Sequence, residues 1–285
     1  MRRGAVFAFV LSFAALACNP NGCKREDENQ AKPVATQLPP LAAPLPVTTL
    51  PVPGFSDAVA TIPAGVTKPV PVVVAVIGIG DTPEEQCAIW RELVGKRAFV
   101  LCPRGLPHYV LPGENDEKDD ETGERPAPDP NAKPVQVGFY QPDVARLDKE
   151  LTAGLTALKA KWPQYVSDKE VVYVGFSRGA FLGPQLAAKK PDRFKRLVLI
   201  EGGHTPWTDE AANAFAKGGG KKVLFACGQQ SCVDDALTAA GTLGKRKIDT
   251  KTVFGQGEGH GYKKQVKEEL KKQIDWIVEG DPNWK

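Results

Sequence analysis

From Val70 onward, short apolar runs alternate with segments of helical periodicity, and few folds accept that alternation. Residues 72–77 form an unbroken run rich in β-branched side chains, the pattern of a strand covered on both faces. A helix is predicted over 83–94, with Thr82 as N-cap and Pro83 at the first helical position. A strand follows at 98–102. Residues 143–162 carry Val144, Leu147, Leu151, Leu155 and Leu158 at spacings of three and four, one apolar face of an amphipathic helix. Strand and helix then alternate at 170–174 and 178–189, 196–201 and 209–217, 222–226 and 234–243, and 247–254 and 262–279. Helical crossovers between consecutive strands make neighbours run parallel, so an α/β architecture follows, with a mostly parallel central sheet and helices on both faces.

Two stretches interrupt this rhythm. Between Pro33 and Pro71 lie ten prolines, which exclude a helix or a central strand and favour extended polyproline II. Residues 18–70 are accordingly expected to be a tether, with the folded domain at 71–285. Residues 103–140 form an insertion with seven acidic residues between Glu114 and Glu124, followed by Pro126, Pro128, Pro130 and Pro134. It reads as a solvated loop, or as a lid over a site.

The N-terminus has the features of an export signal. Arg2 and Arg3 precede an apolar run from Ala5 to Ala17, too short to span a bilayer comfortably. The run ends at Ala15-Leu16-Ala17-Cys18, which resembles a bacterial lipoprotein cleavage site, although Ala15 stands where Leu is favoured. Residues 1–17 are then the signal peptide, and Cys18 is the lipidated N-terminus of a membrane-anchored protein. Secretion without lipid is the alternative. Asn19 is not the Asp of an inner-membrane retention signal, which points to the outer membrane over the periplasmic side of the inner one. Without Arg2 and Arg3 the chain carries 35 basic and 34 acidic residues, a balance that gives no reason to expect a nucleic-acid partner. Six cysteines in an exported chain invite disulfides. Beside Cys18 and Cys23, the other four fall into two local pairs, Cys87 with Cys102 and Cys227 with Cys232. A zinc site is disfavoured by the three histidines and the lack of a CxxC pair.

Gly175-Phe176-Ser177-Arg178-Gly179 lies between an apolar strand and a helix. A serine on such a turn has a strained backbone, and glycines at the flanking positions make room for it. The turn exposes Oγ, and directs the Arg178 N–H to where an oxyanion would form. Serine needs a base, and the chain offers His108, His204 and His260. His260 lies in Gly257-Glu258-Gly259-His260-Gly261, a loop flexible enough to curl back to the serine.

With strand, Gly-Phe-Ser-Arg-Gly, three strand–helix units and Gly-His-Gly in this order, residues 70–285 resemble the α/β-hydrolase fold. The resemblance is nearest to carboxylesterases and to dienelactone-hydrolase-like and prolyl-oligopeptidase-like enzymes. It implies Ser177 as nucleophile and His260 as base. The acid stays open between Glu201 at the end of a strand, Asp234 or Asp235 at a helix start, and none, because Ser231 stands where the family often has its Asp. The second oxyanion donor would be the N–H of Ile79 or Gly80, next to Ile77, which stands where the family has His. Arg104, after a strand end, is a candidate for a substrate carboxylate, or else a fold-supporting ion pair. The expected activity is hydrolysis of a small ester or acyl substrate, with no cofactor and no metal. A non-catalytic binding or scaffold lipoprotein on the same fold is the alternative.

Overall fold

A computed structural model describes residues 37–43, 47–111, 131–140, 143–167 and 169–284. The expected signal peptide, Cys18, Cys23 and most of the acidic insertion lie outside the described residues. In chain order the strands are β1 (Val47–Leu50), β2 (Ala58–Thr61), β3 (Val72–Val76), β4 (Phe99–Cys102), β5 (Leu106–Val110), β6 (Val135–Phe139), β7 (Val172–Phe176), β8 (Arg196–Ile200), β9 (Lys222–Cys227) and β10 (Asp249–Phe254). The helices are α1 (Pro83–Val94), α2 (Val144–Lys161), α3 (Arg178–Lys189), α4 (Asp209–Lys217), α5 (Gln230–Gly244) and α6 (Gln265–Val278).

Eight strands make one sheet in the order β1-β2-β4-β3-β7-β8-β9-β10. The six strands from β4 to β10 in that order run parallel, and β1 and β2 add an antiparallel edge. Side chains of β3 alternate between two buried faces. Val72, Val74 and Val76 join the core under α2, α3, α4 and α5, whereas Val73 and Ala75 join the core under α1 and α6. Leu147, Leu151 and Leu158 of α2 are fully buried in the first core, as the three–four spacing requires. Each such burial stabilises the fold by about 1.5–3 kcal/mol.

Helix starts follow the capping chemistry. Thr82 Oγ1 accepts the Glu85 N–H at 3.3 Å, with Pro83 opening α1. Asp143 is the N-cap of α2, accepting the N–H groups of Ala145 and Arg146 at 2.9 and 3.0 Å. α6 begins later than its apolar pattern suggests. The Glu258 carboxylate takes the N–H groups of Lys264 and Val266, both at 2.6 Å, and keeps Tyr262 in the preceding loop.

The tether is shorter than proline counting suggests. Val47-Thr48-Thr49-Leu50 and Ala58-Val59-Ala60-Thr61 pair as β1 and β2, and Leu41, Leu50, Val52, Val59 and Ile62 are buried. Pro51 and Pro53 fall between the two strands, where a missing N–H breaks no ladder. The compact unit runs from Gln37 to Lys285. The flanks of the insertion are also ordered, as the antiparallel pair β5 and β6.

Two disulfides join Cys87 to Cys102 and Cys227 to Cys232, with Cα atoms 5.8 and 5.6 Å apart. The first links α1 to the end of β4, and the second spans the loop from β9 into α5. No described helix is long and apolar enough to cross a membrane.

Candidate active site

β7 ends at Phe176, and Ser177 turns the chain into α3 with φ of 50°, a strained value for a residue with a Cβ. Its N–H donates to the Ile200 carbonyl of β8 at 2.9 Å. The turn is so tight that a Cβ on Gly175 would stand 2.4 Å from the Gly179 carbonyl, and one on Gly179 would stand 2.3 Å from the Val76 carbonyl oxygen. Tyr173 Oη donates to the Gly179 carbonyl at 2.7 Å and holds the turn from beneath.

His260 sits in the loop between β10 and α6, where Gly257 and Gly259 adopt φ of 81° and 72°. Its Nε2 lies 2.9 Å from Ser177 Oγ, and its Nδ1 lies 3.3 Å from Glu201 Oε2. The ring packs on Phe176, with centroids 5.3 Å apart. Glu201 follows the last residue of β8 and has φ of 49°. Its N–H donates to the Ala226 carbonyl at 3.0 Å, and its side chain is 1% exposed. Oε1 accepts N–H groups from Gly228 and, at 3.3 Å, from Gln229. A hydroxyl, an imidazole and a buried carboxylate thus stand in line, the arrangement that activates a serine for acyl transfer.

The alternative acids lie elsewhere. Asp234 is in the second turn of α5, because that helix starts at Gln230, and its carboxylate accepts from the Gln230 side chain at 2.9 Å. Asp235 faces His204, with Oδ2 3.5 Å from Nδ1. Glu201 is the carboxylate at the His260 ring.

The loop after β3 carries Ile79 and Gly80, and its Gly78 stands against the Phe176 ring beside the serine. The Gly78 N–H donates to Asp81 Oδ2 at 3.2 Å and is engaged there. Gly80 has φ of 89°. Arg178 opens α3, and the first N–H groups of a helix have no partner within it. Asp81 went unnoticed in the sequence. Burial raises its carboxyl above the usual carboxylate range, with Lys263 and the Gly78 N–H acting against that shift.

Arg104 is tied to the fold. Its guanidinium forms a two-point ion pair with Glu84, and its Nε donates to the Asp57 carbonyl at 3.2 Å. Both forks of the side chain are engaged, so the fold-supporting role accounts for it. Arg178 lies 5.8 Å from the centre of the Phe181 ring. Among the described residues, Glu201, Cys227 and Cys232 bring metal-type donor atoms within 4.8 Å of one another. The two sulfurs are bonded to each other, so they offer a metal no thiolate.

The topology and the turn at Ser177 define an α/β-hydrolase fold. A family model described as the α/β-hydrolase fold matches residues 163–243, which include β7, the serine turn, α3, β8, α4 and β9. Among solved structures, the fluorophosphonate-binding serine hydrolase FphF of Staphylococcus aureus is similar, with 12% identity, coverage of 84% of this chain and 99% of that one, and a TM-score of 0.53. An S-formylglutathione hydrolase from Agrobacterium tumefaciens shares 16% identity over 82% of this chain and 94% of its own, with a TM-score of 0.51. Est1E from Butyrivibrio proteoclasticus shares 13% over 82% and 99%, also with a TM-score of 0.51. No curated protein matches the sequence significantly.

Proposed function

We propose that this protein is a serine hydrolase of the carboxylesterase type, acting on a small ester in preference to a peptide, through an acyl-enzyme on Ser177. The observation that carries the reading is the 2.9 Å contact between Ser177 Oγ and His260 Nε2, with Glu201 behind the ring. Ser177 Oγ attacks the substrate carbonyl carbon while its proton passes to His260 Nε2. The negative oxygen is met by the N–H of Arg178 and that of Ile79 or Gly80. His260 then gives the proton to the leaving alcohol. Water repeats the sequence on the acyl-enzyme and releases the acid. Glu201 holds the tautomer of His260 that can accept at Nε2. Hydrolysis of p-nitrophenyl acetate tests this. Wild type should turn the ester over, and Ser177→Ala should lose at least about 10³-fold in kcat. Equal rates in the two proteins would refute the proposal.

The same reading holds the protein outside the cytoplasm, anchored by lipid on Cys18, at the outer membrane or otherwise in the periplasm. Support comes from the charged and apolar residues before Cys18 and from two disulfides, which persist in oxidising compartments. Labelled palmitate should enter wild type in a bacterial host and not Cys18→Ser. Labelling of both, or of neither, would refute the anchor.

A further inference from the structure

The carboxylate at His260 is gripped by a loop that is itself closed by a covalent bond. Residues 226–229 touch Glu201 at three points. The Ala226 carbonyl accepts the Glu201 N–H, and the N–H groups of Gly228 and Gln229 donate to Oε1. The same loop supports the histidine. The Cys227 carbonyl accepts the Gly255 N–H at 2.8 Å, where the His260 loop begins. Gly228 packs so closely on that loop that a Cβ there would stand 2.4 Å from the Gly259 carbonyl oxygen. Behind these contacts Cys227 is bonded to Cys232 in the first turn of α5.

Thr82, Asp143 and Thr208 cap α1, α2 and α4 with their side chains, whereas the residues before α3, α5 and α6, Gln229 among them, make no side-chain cap. At the start of α5 the acceptor is instead the Glu201 carboxylate, which takes the Gly228 and Gln229 N–H groups just before the helix. A shift of this loop would carry away the two amides that Glu201 depends on. Both cysteines are buried, and their sulfurs lie within 4.8 Å of the carboxylate. The Cys87–Cys102 bond sits in the core on the other face of the sheet, under α1 and α6.

We propose that the Cys227–Cys232 disulfide is a positioning element of the active site, fixing the loop whose backbone amides hold Glu201 against His260. The inference rests on the reading of Glu201 as the acid. The covalent bond acts on the charge of the His260 ring through Glu201, whose loop it closes, and touches no substrate.

The test is an NMR titration of the His260 ring in four full-length proteins: wild type, Cys227→Ser/Cys232→Ser, Glu201→Gln, and the triple variant. Serine cannot bind adventitious metal as a freed thiol would. A carboxylate at the ring favours the imidazolium, so its loss of registry lowers the His260 pKa. Asp81, whose carboxyl also interacts with His260, is untouched by these changes. The disulfide-free pair should show this drop, and the triple variant should titrate with Glu201→Gln, because no positioned carboxylate is left to disturb. On p-nitrophenyl acetate, the disulfide-free pair should lose about tenfold in kcat at unchanged KM. Cys87→Ala/Cys102→Ala should melt earlier but titrate as wild type. If the serine pair does not fold, Cys227→Ala/Cys232→Ala, which buries no hydroxyl, replaces it. An unchanged His260 titration in the disulfide-free pair would overturn the proposal. So would a further drop in the triple variant beyond Glu201→Gln. The titration needs no turnover, so an inactive wild type would refute the hydrolase reading alone.

Discussion

Replacing Glu201 by Gln should disable the protein through a change of tautomer, with little change of shape. Oε1 accepts two N–H groups, from Gly228 and Gln229, and must remain an acceptor. The glutamine carbonyl therefore takes that position and its NH₂ faces His260 Nδ1, 3.3 Å away in the native site. An NH₂ donor obliges Nδ1 to accept, which moves the ring proton to Nε2. Nε2 then donates toward Ser177 Oγ and cannot take its proton. The equivalent loss in a serine-protease triad costs about 10⁴ in kcat. The longer Glu201–His260 contact here suggests a smaller effect, about 10³, or ~4 kcal/mol of transition-state stabilisation. The assay is kcat and KM for p-nitrophenyl acetate at pH 8, with Asp234→Asn in parallel. Asp234 bonds Gln230 on the surface of α5, so its variant should keep wild-type rates. A loss below tenfold in Glu201→Gln, or an equal loss in Asp234→Asn, would refute the reasoning.

Gly175→Ala should destabilise the fold by about 2 kcal/mol or more, because the new Cβ meets backbone at 2.4 Å and backbone cannot rotate away. Thermal unfolding would show it, and an unchanged melting temperature would contradict the tight turn. Glu170 is raised by its burial, but hydrogen bonds from Lys221, Arg196 and Lys195 outweigh this and hold it at about 2. Its folded-state pKa is depressed, so its contribution is present above the unfolded value and is lost as pH falls toward 2. Glu170→Gln should cost about 1 kcal/mol at pH 7, a figure discounted for solvent screening, and nothing near pH 2. Urea unfolding at the two pH values checks the sign, and an equal cost at both would refute it.

Much of the architecture was legible because burial on two faces leaves a mark in sequence. The helices at 83–94, 178–189 and 209–217 match their observed bounds. Ser177 was legible for a local reason, since its turn needs glycine at both flanks. β1 and β2 were not. Each is four residues long inside a proline-rich stretch, and their pairing is long-range: β2 lies against β4, and β1 against β2. The acid was undecided for a similar reason. Glu201 and Asp234 both follow strands, and only the return of the His260 loop across β8 and β9 distinguishes them. For Arg104 the substrate and ion-pair readings both stayed open, because its partner Glu84 sits on a separate element, where spacing carries no information. Asp81 lacked any sequence signal beyond its place after two glycines.

A nucleophilic Ser177 is tested most directly by a fluorophosphonate, which phosphonylates an activated serine and spares ordinary hydroxyls. Intact-mass analysis of the folded protein should show one adduct, mapped by peptide sequencing to Ser177. Labelling should vanish in Ser177→Ala and slow strongly in His260→Ala. A folded wild type that takes up no probe, or an adduct that survives Ser177→Ala, would contradict the assignment.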